Sequence, residues 1–80
     1  MPKKALIIGI SGQDGSYLAD FLLKQNYEVF GTSRDAQMSS FANLQKLGIK
    51  KQVTVYSASL NDFRSVYQVL KEIVPDEVYN

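Results

Sequence analysis

The chain of 80 residues contains no cysteine, histidine or tryptophan and only two prolines. Without cysteine there is no disulfide and no thiolate metal site. Without histidine it lacks the commonest metal ligand and the commonest general base. An excess of charge is missing too: nine basic residues stand against eight acidic ones, scattered along the chain. The basic pairs Lys3-Lys4 and Lys50-Lys51 flank predicted strands and read as solvated ends of elements, not as a nucleic-acid surface. No apolar run reaches membrane-spanning length, and the one behind the basic start is broken at Gly9, short of a signal-peptide core. The expectation is a soluble, cytoplasmic protein with no nucleic-acid or membrane partner. Internal repeats, low-complexity tracts and linkers are absent as well, so residues 1–80 read as one small domain or part of one. A chain of this size buries only about 60–65% of the surface its unfolded form exposes, which makes for a marginal core.

What is present is concentrated near the start. The apolar run Ala5-Leu6-Ile7-Ile8 feeds directly into glycines at 9, 12 and 15, and Leu18, Phe21 and Leu22 follow at helical spacing. Strand, tight glycine turn and helix N-terminus in that order form a cradle for a dinucleotide pyrophosphate. Gly9 lets the chain leave the strand sharply, Gly12 keeps a Cβ out of the path of the phosphates, and Gly15 lets the helix pack closely on the strand. The backbone of Ile10, Ser11 and Gln13 completes the loop, and the Gln13 amide can also donate to a phosphate or ribose. Asp14 falls in the first helical turn, where a carboxylate interacts well with the dipole and can cap free N–H groups. Because a carboxylate beside a pyrophosphate is electrostatically awkward, Asp14 is expected to point away from it.

The rest of the chain repeats the alternation. A first strand is expected at Lys4–Ile8, a helix over 15–25 ending near Asn26, and a second strand over 27–32. A polar stretch, 33–40, separates this unit from a short helix over 41–47, with Ser39 or Ser40 as cap and Gly48 as stop. Val53, Thr54, Val55 and Tyr56 predict a third strand. Asn61 or Asp62 can cap a further helix, whose Phe63, Val66, Tyr67, Leu70 and Val74 would form one apolar stripe. Pro75 ends it, and residues 77–80 begin a fourth strand. The pattern β-α-β-α-β-α-β reads as α/β, the N-terminal half of a doubly wound parallel-sheet Rossmann fold with strand order 3-2-1-4, truncated at strand 4. In such a sheet, ligands bind where the winding reverses, between strands 1 and 4.

Discrimination between NAD and NADP sits at the end of the second strand. An acidic side chain there binds the ribose 2′-hydroxyl, whereas a guanidinium takes a 2′-phosphate. Arg34 favours NADP; a strand two residues longer would make Asp35 the ribose ligand and favour NAD. After the third strand, Ser59 and the backbone of Leu60 are candidate adenine contacts.

The stretch Gly9-Ile10-Ser11-Gly12-Gln13-Asp14-Gly15-Ser16-Tyr17-Leu18-Ala19-Asp20 resembles the opening of the GDP-mannose 4,6-dehydratases, which belong to the extended short-chain dehydrogenase/reductases. Leu44-Gln45-Lys46-Leu47-Gly48-Ile49 and Pro75-Asp76-Glu77-Val78-Tyr79-Asn80 extend the likeness over the whole chain. The resemblance implies the N-terminal, NADP-binding part of a longer enzyme, with the substrate domain absent from these residues. It makes residues 9–14 the phosphate loop, Arg34 the NADP-selecting arginine, and Asn80 the start of a segment beside the nicotinamide. Two departures stand out: Asp35 where the family commonly has a second arginine, and Ser59 where it usually has an aspartate. The implied reaction oxidises C4 of the GDP-mannose hexose, eliminates water across C5 and C6, and returns hydride to C6, giving GDP-4-keto-6-deoxymannose. The family's catalytic Tyr-x-x-x-Lys pair would lie beyond Asn80, so none of these 80 residues is expected to be catalytic. Tyr67 and Lys71 satisfy that spacing by coincidence, on a helix far from the switch point. A homo-oligomer is expected for the longer enzyme. A sister sugar-nucleotide reductase or epimerase would share this first half. A non-catalytic fragment would leave the outer edge of the first strand unpaired and prone to self-association.

Overall fold

The computed structural model describes residues 2–34, 41–59 and 61–80. Strands β1 (Lys4–Ile8), β2 (Glu28–Ser33), β3 (Val53–Ser57) and β4 (Glu77–Tyr79) form one sheet. Its order is β3-β2-β1-β4, and every neighbouring pair is parallel. Helices α1 (Gln13–Lys24), α2 (Ala42–Lys46) and α3 (Phe63–Ile73) make the crossovers, with a 3-10 turn at Lys50–Gln52 before β3. The order and the parallel pairing are those expected of a doubly wound sheet.

Alternation along β1 divides the core. Ala5 and Ile7 face the α1 and α2 side, where they join Ala19, Leu22, Val29 and Leu44. Leu6 faces the other way and packs with Val69 and Ile73 of α3. All three β1 side chains are essentially without solvent contact, which is why that strand reads as an unbroken apolar run.

Several boundaries differ from expectation for local reasons. Helix α1 starts two residues early, because Gly12 is extended and serves as N-cap with no side-chain bond; Asp14 therefore lies in the first turn and does not cap. At its other end Asn26 takes the left-handed conformation (φ 68°), as expected. Strand β2 runs one residue further, to Ser33, and Arg34 follows at once. Asp35 and the proposed caps Ser39 and Ser40 lie outside the described residues. The residue that precedes α2 is Phe41, itself left-handed, and Gly48 (φ 74°) stops the helix.

The stripe expected on α3 is corrected more substantially. Phe63, Tyr67 and Val74 are 81%, 53% and 71% exposed. The face on the sheet is Val66, Val69, Leu70 and Ile73, rotated by about one position, and Phe63 and Tyr67 stack on each other outside it. Asp62 is the cap: its carboxylate accepts the Arg64 N–H at 3.2 Å. Asp62→Ala is expected to cost about 1 kcal/mol, read as a lower urea midpoint at unchanged slope.

The outer edge of β1 is not open. It pairs with β4 through Ala5↔Glu77, Leu6↔Val78 and Ile7↔Tyr79. Asp76 locks the entry to that strand, donating its N–H to the Lys4 carbonyl at 2.8 Å and accepting the Lys4 N–H on its carboxylate at 2.7 Å. On that side of the sheet β4 is the edge strand instead.

Candidate functional site

The site forms at the C-terminal ends of the strands, beginning with the glycine loop. Gly9 has a φ of 80°, which turns the chain out of β1. The Gly9 and Ile10 N–H groups both donate to the Thr32 carbonyl, at 3.0 and 2.9 Å, so the loop is hung from β2. Ser16 secures it from the helix side: its buried hydroxyl, with one proton to donate, lies within hydrogen-bond reach of the carbonyls of Ile10 (3.0 Å) and Gly12 (2.8 Å). From α2, the Asn43 amide donates to the Ser11 carbonyl at 3.1 Å.

Close packing here depends on missing Cβ atoms. One added at Gly15 would sit 2.6 Å from the Gly9 carbonyl oxygen and 3.0 Å from the Ile10 Cα. One added at Gly31 would lie 2.5 Å from two Ile10 side-chain carbons. At Gly12 the nearest atom would be 3.7 Å away, so no protein neighbour requires glycine there. Space above Gly12 is open.

Two clefts meet at Gly9. The first, of about 340 Å³, lies across the C-terminal ends of the strands and is lined by Gly9, Thr32, Arg34, Ser59, Asn61 and Asn80, among others. The second, of about 400 Å³, lies between the start of α1 and the end of β4, against Gly12, Gln13, Asp14, Gly15, Tyr79 and Asn80. The first intrahelical bond of α1 is Ser16 N–H to the Gly12 carbonyl. The N–H groups of Gln13, Asp14 and Gly15 therefore precede the helical ladder and have no acceptor within it. Such a helix start, beside a cleft and joined to a second cleft holding a guanidinium, suits an elongated polyanion.

Most of the residues singled out from the sequence converge on these walls. Gly9, Gly12, Gln13, Asp14 and Gly15 line the second cleft, Arg34 and Ser59 the first, and Asn80 both. Asp14 is exposed and borders the second cleft. Ile10 and Ser11 do not line either cleft: Ile10 is core, with its N–H engaged, and Ser11 gives its carbonyl to Asn43. Leu60 lies outside the described residues. Tyr67 and Lys71 are on α3 and line neither cleft. The reading from sequence missed Thr32, Asn43 and Tyr79. Gly31 was legible in principle, because a glycine inside a strand marks a close approach.

Behind the second cleft the Glu77 carboxylate accepts the Tyr79 hydroxyl at 2.6 Å and the Tyr27 hydroxyl at 3.1 Å. That bond to Glu77, with desolvation behind it, pushes the Tyr79 phenol up to about 12. Desolvation first, then the same carboxylate, raises Tyr27 as well. A raised pKa stabilises the fold below the ordinary tyrosine value of about 10 and loses that contribution as pH climbs through the folded value. Both hydroxyls are therefore donors throughout the neutral range. Among the described residues no acidic or histidine cluster could hold a metal ion, and no helix is long and apolar enough to cross a membrane.

The fold and the sequence both recur in known proteins. The chain is 47% identical to a GDP-mannose 4,6-dehydratase of Vibrio cholerae over its whole length, and it spans 23% of that relative. The Bordetella bronchiseptica enzyme WbmH, solved in complex with NAD+, superposes on 98% of the chain at a TM-score of 0.75 with 31% identity, and the match covers 25% of that enzyme. A Pseudomonas aeruginosa carbonyl reductase solved with NADP shares the fold over 90% of the chain and 31% of its own, at a TM-score of 0.70 and 22% identity. The family described as GDP-mannose 4,6 dehydratase matches residues 6–80, and the chain belongs to that family.

Proposed function

We propose that these residues are the adenine-side half of the NADP site of a GDP-mannose 4,6-dehydratase, a longer cytoplasmic and homo-oligomeric enzyme that forms GDP-4-keto-6-deoxymannose. The observation that carries the reading is the pair of clefts joined at Gly9, one against the bare start of α1 and the other holding Arg34. The fit is supported by the open space above Gly12, where a Cβ would meet only one protein atom. The N–H groups of Gln13, Asp14 and Gly15 would hold the pyrophosphate. Arg34 would take the ribose 2′-phosphate, Ser59 and Leu60 the adenine edge, and Asn80 would approach the nicotinamide side. When bound, NADP+ supplies a hydride acceptor that becomes a donor later in the cycle. These 80 residues bind and orient; proton transfers belong to other parts of the enzyme.

Arg34→Ala in the full-length protein is expected to weaken NADP+ by about tenfold and NAD+ by less than twofold, from the loss of one charge-assisted phosphate contact. Calorimetric titration with both dinucleotides checks this. An equal loss for the two would remove the 2′-phosphate role from Arg34. For the reaction, incubation with GDP-mannose should give a sugar nucleotide lighter by one water, with no net change in cofactor absorbance at 340 nm, the usual nicotinamide band (~340 nm). A product of unchanged mass would point to an epimerase instead.

A further inference from the structure

Strand β4 is only three residues long and sits at the sheet edge, yet its last residue forms part of the second cleft. Register with β1 sets the height of Tyr79 opposite Ile7. It does not set the direction of the ring. The Glu77 carboxylate supplies that: one oxygen accepts from Tyr79 and the other from Tyr27, with the Lys3 ammonium 4.0 Å from the second. Tyr27 immediately precedes β2, on the far side of β1, so the carboxylate ties the edge strand across the central strand. Glu77 itself lines neither cleft. Strand pairing alone does not call for a carboxylate here, and an apolar side chain would avoid the desolvation. What the carboxylate adds is direction, since two charge-assisted bonds hold two phenols in one geometry.

We propose that Glu77 is a positioning residue for the dinucleotide: by accepting from the Tyr27 and Tyr79 hydroxyls together, it holds the Tyr79 ring as the cleft wall facing Gly12, Gln13 and Gly15. This inference rests on the dinucleotide reading above. Tyr79 lines the second cleft and not the first, so the effect falls on ligands that place a phosphate against the start of α1. A ligand confined to the first cleft is unaffected.

The test is calorimetric titration of the full-length protein and its Glu77→Ala, Glu77→Gln and Tyr79→Phe variants. The probes are NADP+ and adenosine 2′-monophosphate, which carries the adenine and the 2′-phosphate but no 5′-phosphate to enter the second cleft. Glu77→Ala is expected to weaken NADP+ by about tenfold and Tyr79→Phe by about threefold, the range of a lost charge-assisted bond. The monophosphate should change by less than about twofold. Glu77→Gln, which keeps one acceptor oxygen, should recover part of the loss. Equal losses for both ligands, or no loss for either, overturn the proposal. Should Glu77→Ala fail to fold, Tyr79→Phe decides alone, because it keeps the ring and the strand. A wild-type protein that binds neither NADP+ nor NAD+ would instead overturn the dinucleotide reading itself.

Discussion

Gly15→Ala is expected to lower stability by about 2 kcal/mol, although alanine is the better helix former by about 1 kcal/mol. The opposing effect is larger because of what the new methyl meets. Its neighbours at 2.6 and 3.0 Å are the Gly9 carbonyl oxygen and the Ile10 Cα. Backbone cannot rotate out of the way, and Gly9 and Ile10 are both fastened to Thr32. Relief requires lifting the start of α1 from β1, which also opens the Ser16 bond to Ile10. The measurement is urea unfolding of the full-length protein, with Gly12→Ala as comparator. A Cβ at 12 meets nothing closer than 3.7 Å, so that variant should unfold within about 0.5 kcal/mol of wild type while binding dinucleotide more weakly. Equal stability losses at 12 and 15 would mean that the helix does not approach the strand as described.

At Gly31 the expected loss from alanine is about 3 kcal/mol, the upper end of overpacking. Here the obstacle is a side chain, with the nearest Ile10 carbons 2.5 Å away. Ile10 is fully buried and β-branched, so it has no alternative rotamer to occupy without displacing its neighbours. That gives the prediction a second handle. Combining Gly31→Ala with Ile10→Gly removes the collision, because the Ile10 Cβ is itself one of the atoms 2.5 Å away, and the double variant should be more stable than the sum of the singles predicts by about 2 kcal/mol. Additive losses would place Ile10 away from the strand glycine. The small-to-large pair is therefore one packing unit, contributed half by β2 and half by the phosphate loop.

The parts of this molecule that were legible in the sequence are those where one residue type answers one local demand. Gly9 had to turn sharply out of an apolar run, Asn26 had to end a helix, and Gly48 had to take a positive φ; each does so. The parallel sheet followed from helical crossovers between apolar strands. The less legible parts depend on partners remote in sequence. On α3 the apolar residues outnumber the positions that face the sheet, so periodicity could not tell Phe63 and Tyr67 from Val69 and Ile73; only the contact with Leu6 does. Gly31 carries no motif, and its partner Ile10 is 21 positions away, close only because the loop is hung from Thr32. The Glu77 tie joins residues 50 positions apart and looks from sequence like an ordinary charged strand end.

The pairing of β1 with β4 also has a kinetic side. The Lys4 and Asp76 partners are 72 positions apart, so β1 receives its second neighbour well after its first. Closing so long a loop is entropically expensive, and sheets built from such distant pairs fold slowly. During synthesis at roughly 5–20 residues per second, β1 waits several seconds with one edge bare after its other neighbour is in place. For that interval the most apolar strand of the chain is a template for any other extended segment nearby. Nascent chains of this protein should therefore depend on holdase chaperones until residue 79 has left the ribosome, and lose that dependence once β4 docks.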